Sequence, residues 1–140
     1  RKTAITIVSL VALASVMNYA GMIVVIASAL ATVTGQLYPV FAPLIGAVGT
    51  FVTGSDTSSN ILFAKLQANV AHQLNYSNSN WLVAANTTGA TGGKIISPQS
   101  IAIATAACDM QGRDGEILKA AIPYAVLYIA VGGLMVLLAV

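Results

Sequence analysis

Two clusters of small polar residues stand between apolar arms in this sequence: Gly54-Ser55-Asp56-Thr57-Ser58-Ser59-Asn60 and Asn86-Thr87-Thr88-Gly89-Ala90-Thr91-Gly92-Gly93-Lys94. If the helix unwinds at such a place, backbone N–H groups are freed, and a helix N-terminus presents roughly half a positive charge. Such ends hold a carboxylate without a buried arginine, and neighbouring glycines let a small solute come close to the backbone. The hydroxyls and amides of Ser55, Thr57, Asn60, Asn86, Thr87 and Thr88 are therefore candidate solute-binding groups. Asp56 is the acid within the first cluster and Lys94 the cation at the end of the second. Lys94 either meets a solute carboxylate or pairs with Asp56 when no solute is bound, and snorkelling to an interface is the competing reading.

The elements that must position these groups belong to a membrane. The chain has 140 residues, 57% of them hydrophobic and only 7% charged, whereas an ordinary soluble domain carries about 25% charged residues. Between Thr3 and Ser55 there is no Asp, Glu, Lys or Arg, and about 20 apolar residues already cross a hydrocarbon core of about 30 Å. A secretory signal is a poor alternative, because its apolar region ends after about 7 to 15 residues. The chain starts at Arg1 rather than Met, and it reads as a piece of something longer. The net charge of +2, with no basic cluster interleaved with aromatics, gives no reason to expect nucleic acid. The single cysteine, Cys108, excludes an internal disulfide and is expected to act as a small packed hydrophobe.

The apolar pattern predicts an all-α integral membrane fold. Residues 3–33 form a first transmembrane helix, about 46 Å long if straight, which must tilt, protrude or break. Asn18-Tyr19-Ala20-Gly21 is the expected place for a break, or else a small-residue packing patch. Residues 37–74 make two short arms around a polar tip at 54–60, the pattern of a re-entrant hairpin. The second arm carries Lys65, Gln67, Asn69 and His72, so it does not face lipid all round. A lone histidine such as His72 is most simply a hydrogen-bonded packing residue. Residues 81–108 form a discontinuous helix broken at 86–94, with Ser97 as N-cap and Pro98 in first helical position for its second part. Residues 118–140 form a second full transmembrane helix.

Paired polar interruptions of this kind are the best sequence pointer to a transporter's binding site. Ordinary surface turns have the same composition, but the apolar arms are too short to cross, so at least one cluster belongs within the membrane. A carboxylate there costs about 2.5 to 3.5 kcal/mol on insertion scales, so an intramembrane acid is functional by default. Carboxyl groups ordinarily ionise near pH 4, so one that cycles protons near neutrality needs burial or a neighbouring anion to favour its protonated form. One histidine, one cysteine and scattered carboxylates make no metal set. Serines abound, but no G-x-S-x-G elbow accompanies them, so an enzyme is not expected.

Three stretches, taken in order, resemble the C-terminal signature of the L-lactate permease family. They are Gly54 through Asn60, Ala84-Ala85-Asn86-Thr87-Thr88-Gly89, and Gly93-Lys94-Ile95-Ile96-Ser97-Pro98-Gln99-Ser100-Ile101-Ala102. Weaker matches extend the resemblance over nearly the whole chain, with departures at residues 69–80 and in the Ala90-Thr91-Gly92 spacing. The resemblance implies a bacterial plasma (inner) membrane symporter for lactate and commonly glycolate, driven by protons and needing no other cofactor. It also implies an inverted-repeat carboxylate transporter, in which each repeat pairs a re-entrant hairpin with a broken helix, and a missing N-terminal part of the same permease. In that frame Asp56 is the proton-coupling site. Sodium coupling at Asp56, or a structural or channel subunit without a solute site, are the alternatives, and the sequence leaves membrane orientation and a homo-oligomer open.

Overall fold

A computed structural model describes the backbone of residues 2–140, and side chains from Val8 onward apart from residue 10. Seven α-helices form among the described residues, with no strand: α1 (Lys2–Tyr19), α2 (Met22–Thr34), α3 (Tyr38–Thr53), α4 (Asp56–Gln73), α5 (Asn80–Ile95), α6 (Pro98–Ala107) and α7 (Asp114–Ala139). A 3₁₀ turn, Gly35–Leu37, joins α2 to α3.

Two helical runs are long and apolar enough to cross a membrane, Met22–Thr53 and Asp114–Ala139. The second coincides with the span expected at 118–140. The first does not coincide with the helix expected over 3–33, which is divided: α1 ends at Tyr19 and Gly21 takes a left-handed conformation, φ 73°. The apolar run then continues past Gly35, whose φ of 53° and ψ of −137° turn the chain before α3.

The centre of the assembly is the pair α3 and α5. A Cβ on Gly89 would collide with the carbonyl of Pro43, one on Gly93 with Ala47, and one on Gly46 with the carbonyl of Asn86. Both helices advance four residues between the first two contacts, so they run parallel, backbone against backbone. Gly89 and Gly93 form the small-xxx-small pattern that lets membrane helices approach this closely. This corrects the expected unwinding at 86–94: α5 is helical throughout Asn80–Ile95. Its glycines serve packing, and the helix keeps its own backbone bonds.

The interruption lies further on, at Ile96 and Ser97. Proline disfavours the helical region for the residue before it, and Ser97 is extended, at φ −67° and ψ 135°. Its side chain accepts from the N–H of Ser100 (3.2 Å), capping α6 as the Ser97-Pro98 pair predicts.

Helix α4 folds back on α3 as a hairpin. Ser59 Oγ donates to the carbonyl of Gly46 (2.8 Å) and Gln67 Nε2 to that of Ala42 (3.0 Å), so residues later in α4 meet residues earlier in α3. The tip is tighter than the expected 54–60: only Gly54 and Ser55 lie between the helices. Gly54, at φ 68°, takes the left-handed turn that ends α3. Ser55 caps α4 by accepting from the N–H of Ser58 (3.3 Å). Helix α7 packs on α3 and α5 with its Gly133 against Val40 and its Gly132 against Thr88. Cys108, expected to be packed, is exposed at the end of α6.

The distribution of polarity is inverted relative to a soluble protein. Gln67 and Asn86 are fully buried, while Val25 is 69%, Met135 66% and Leu138 80% exposed. An apolar exterior around amide-bearing helices is stable only where the surroundings are themselves apolar.

Candidate solute site at the hairpin tip

The tip of the α3–α4 hairpin, the last turn of α5 and the start of α6 converge. Gly54 lies against the side chain of Gln99 in the first turn of α6. Asp56 opens α4, and its Oδ2 is 3.8 Å from Nζ of Lys94, which closes α5. Each charge sits at the helix end that suits it, an acid at an N-terminus and a cation at a C-terminus. The pair is partly exposed, 51% for Lys94 and 32% for Asp56, so its contribution to stability is at most about 1 kcal/mol. Asp56 Oδ1 is buried and has no hydrogen-bond partner among the described residues, and the same holds for Thr50 Oγ1 in α3.

Starting one turn along α4 from the ion pair, at Asn60, a chain of hydrogen bonds runs deeper across the three helices. Asn60 Oδ1 accepts from Asn86 Nδ2 (3.0 Å) and from Thr87 Oγ1 (2.9 Å). Asn60 Nδ2 donates to the carbonyl of Asp56 (2.9 Å). Asn86 Oδ1 accepts from Gln67 Nε2 (3.3 Å), and Gln67 Oε1 accepts from the hydroxyl of Tyr38 (2.8 Å). Buried amides left unpaired would each cost about 1 to 3 kcal/mol, so this chain joins α3, α4 and α5 in one register.

Of the candidate residues, the fold brings Asp56, Asn60, Asn86, Thr87 and Lys94 together. Ser55 is at the tip, but its hydroxyl caps α4. Thr57 stands exposed in the first turn of α4. Thr88 turns away: its hydroxyl donates to the carbonyl of Ala84 (3.1 Å) and its methyl meets Gly132 of α7. Tyr38, Gln67 and Gln99 were not among the sequence candidates. Asp56, Asn60 and Gln67 are spaced by four and seven residues, one stripe of α4, and that spacing was the available signal for Gln67. Lys94 also lines a cavity of about 370 Å³ with Thr91, Ser100, Ile101, Ala104 and Ile117. No group of three or more His, Cys, Asp or Glu among the described residues is placed to hold a metal ion.

An all-helical assembly with an apolar exterior, two runs of membrane-crossing length and polar groups gathered at helix ends defines an integral membrane protein. The chain belongs to the L-lactate permease family, whose sequence model matches residues 1–140. It is 48% identical over 127 residues to the glycolate permease GlcA of Escherichia coli (strain K12), an alignment covering 91% of this chain and 22% of the relative. It is 45% identical over 124 residues to the L-lactate permease of the same strain, covering 89% and 22%. With the L-lactate permease of Bacillus subtilis (strain 168) it shares 42% identity over 115 residues, covering 82% and 20%. The chain thus spans about a fifth of the length of these relatives, which are named as permeases and not as enzymes. No solved structure matches it.

Proposed function

We propose that the full permease carries small 2-hydroxy monocarboxylates, lactate and glycolate, across the bacterial plasma (inner) membrane together with a proton. This segment supplies part of the solute site. The observation that carries the reading is the Asp56 and Lys94 pair, set where the N-termini of α4 and α6 meet the C-terminus of α5. In this reading the α3–α4 hairpin is re-entrant and α5 with α6 is the broken helix of an inverted-repeat, multi-pass carboxylate transporter.

The mechanism follows from electrostatics. A carboxylate arriving at Lys94 competes with Asp56 for the ammonium. Asp56 then loses its cation and gains an anion as neighbour, and both changes favour its protonated form. Asp56 Oδ1, buried and without a hydrogen-bond partner among the described residues, has room in its bonding for the proton. The exposed Thr87 hydroxyl, held by Asn60 above the buried Asn86, faces the remainder of the solute, and the apolar wall of Ile101, Ala104 and Ile117 beyond Lys94 suits a methyl group.

The test is Asp56→Asn in the full-length permease. Proton-driven accumulation of labelled lactate is lost while lactate exchange across the membrane persists; accumulation at the level of the parent protein would overturn the assignment. The same unpartnered oxygen favours a second reading, in which Asp56 ligates Na⁺. Uptake that survives sodium removal but collapses with a protonophore selects the proton, and the opposite pattern selects sodium.

A further inference from the structure

The amide chain beside the ion pair has a direction, fixed at both ends by backbone carbonyls that can only accept. At one end Gln67 Nε2 donates to Ala42 O, which settles which end of that amide is nitrogen. The Tyr38 hydroxyl donates to the opposite atom, Oε1. Gln67 thus offers a donor to Asn86, whose oxygen must face it. Asn86 then turns its own nitrogen to Asn60. At the other end Asn60 Nδ2 donates to Asp56 O, which independently requires the Asn60 oxygen to face Asn86 and Thr87. The two ends agree, and no amide in the chain can be reversed without setting like atoms against each other.

Thr87 is the last member and the most exposed one. A hydroxyl has one proton to give, and that of Thr87 goes to Asn60 Oδ1 at 2.9 Å, with the carbonyl of Val83 as a longer alternative at 3.5 Å. In either case Thr87 Oγ1 presents only lone pairs to a solute lying between it and Lys94.

We infer that Thr87 is a specificity-determining residue that accepts the proton of the solute's 2-hydroxyl group, its own proton being taken by Asn60 Oδ1. The inference rests on the reading of this site as a 2-hydroxy carboxylate site. A 2-oxo acid puts a carbonyl oxygen where the hydroxyl would donate, so lone pair meets lone pair. A site built to bond a solute hydroxyl discriminates against the analogue without it, because a polar group is left unpaired. For one neutral, partly exposed hydrogen bond the expected preference is about three- to tenfold.

The test measures the affinity of the full-length permease for two matched pairs, lactate against pyruvate and glycolate against glyoxylate, by competition with labelled lactate exchange. The parent protein prefers the hydroxy acid in both pairs. Thr87→Val, which keeps the shape and removes the oxygen, brings both ratios close to one, and Thr87→Ser, which keeps the oxygen, preserves them. Each ratio is taken within one variant, so differences in folded amount cancel. A Thr87→Val permease with the parental ratios overturns the role of Thr87. Failure of the parent to exchange lactate at all overturns the function proposed above instead.

Discussion

Asp56 and Lys94 come within 3.8 Å although 37 residues, and the turn that joins α4 to α5, lie between them in the sequence. Each is the charged terminal-turn residue of its helix, so the ion pair marks the meeting point of α4 and α5. Replacing Lys94 with Gln removes a charge-assisted contact to a carboxylate, and such bonds contribute about 1.5 to 3 kcal/mol. The expected outcome is a rise in KM for lactate of about ten- to a hundredfold. Lys94→Arg restores part of it, and equal KM values for the Gln variant and the parent would remove Lys94 from the solute site.

The seam between α3 and α5 admits no side chain at Gly89 or Gly93. Gly89→Val is expected to destabilise the helix pair by more than the 1 to 3 kcal/mol typical of overpacking, about the limit that a core absorbs, since the obstacle is backbone. The detergent-solubilised permease should lose its cooperative thermal transition. Gly132→Ala is the milder control, because its neighbour is the Thr88 methyl, 2.6 Å from the added carbon, which can shift.

Pro98 is what forbids Ser97 from joining α5 to α6. In Pro98→Ala that restriction disappears and α6 is free to continue from α5, carrying Gln99 away from Gly54. Lactate uptake should fall while thermal stability holds or rises slightly. Ser97→Ala shows the reverse balance: loss of the cap costs about 1 kcal/mol, with uptake little affected per folded molecule. Both are read by uptake normalised to folded protein.

Tyr38 is completely buried with its hydroxyl on Gln67. Tyr38→Phe leaves Gln67 Oε1 without its donor, at a cost of about 1 to 3 kcal/mol. The melting temperature should drop by several degrees, and an unchanged melting temperature would show that the hydrogen bond contributes nothing net.

The hairpin and the Ser97-Pro98 start were legible because their signals are local: a glycine at a helix end, a serine that caps, a proline that restricts the residue before it. The site of the break was not. Gly89 and Gly93 have the same composition whether they unwind a helix or let another helix touch it, and the difference lies in α3, more than 40 residues earlier. The mid-run break at Ala20 and Gly21 was legible only as one of two readings, since the same residues suit a packing patch. Tyr38 and Gln67 escaped notice for the opposite reason to the glycines. Their meaning is a pairing, and neither is unusual until the other is placed beside it. Thr88 was grouped with Thr87 by adjacency, but one residue along a helix is a turn of about 100°, enough to send it to α7.

The glycine contacts of α3 and α5 also settle where a solute cannot go. Two backbones that leave no space for a methyl group leave none for a hydrated anion, so in the function proposed above any solute path past Lys94 runs along the outer sides of this pair. In that function the two helices act as one body, like planks glued edge to edge, and a route that opens and closes would do so against what lies around them.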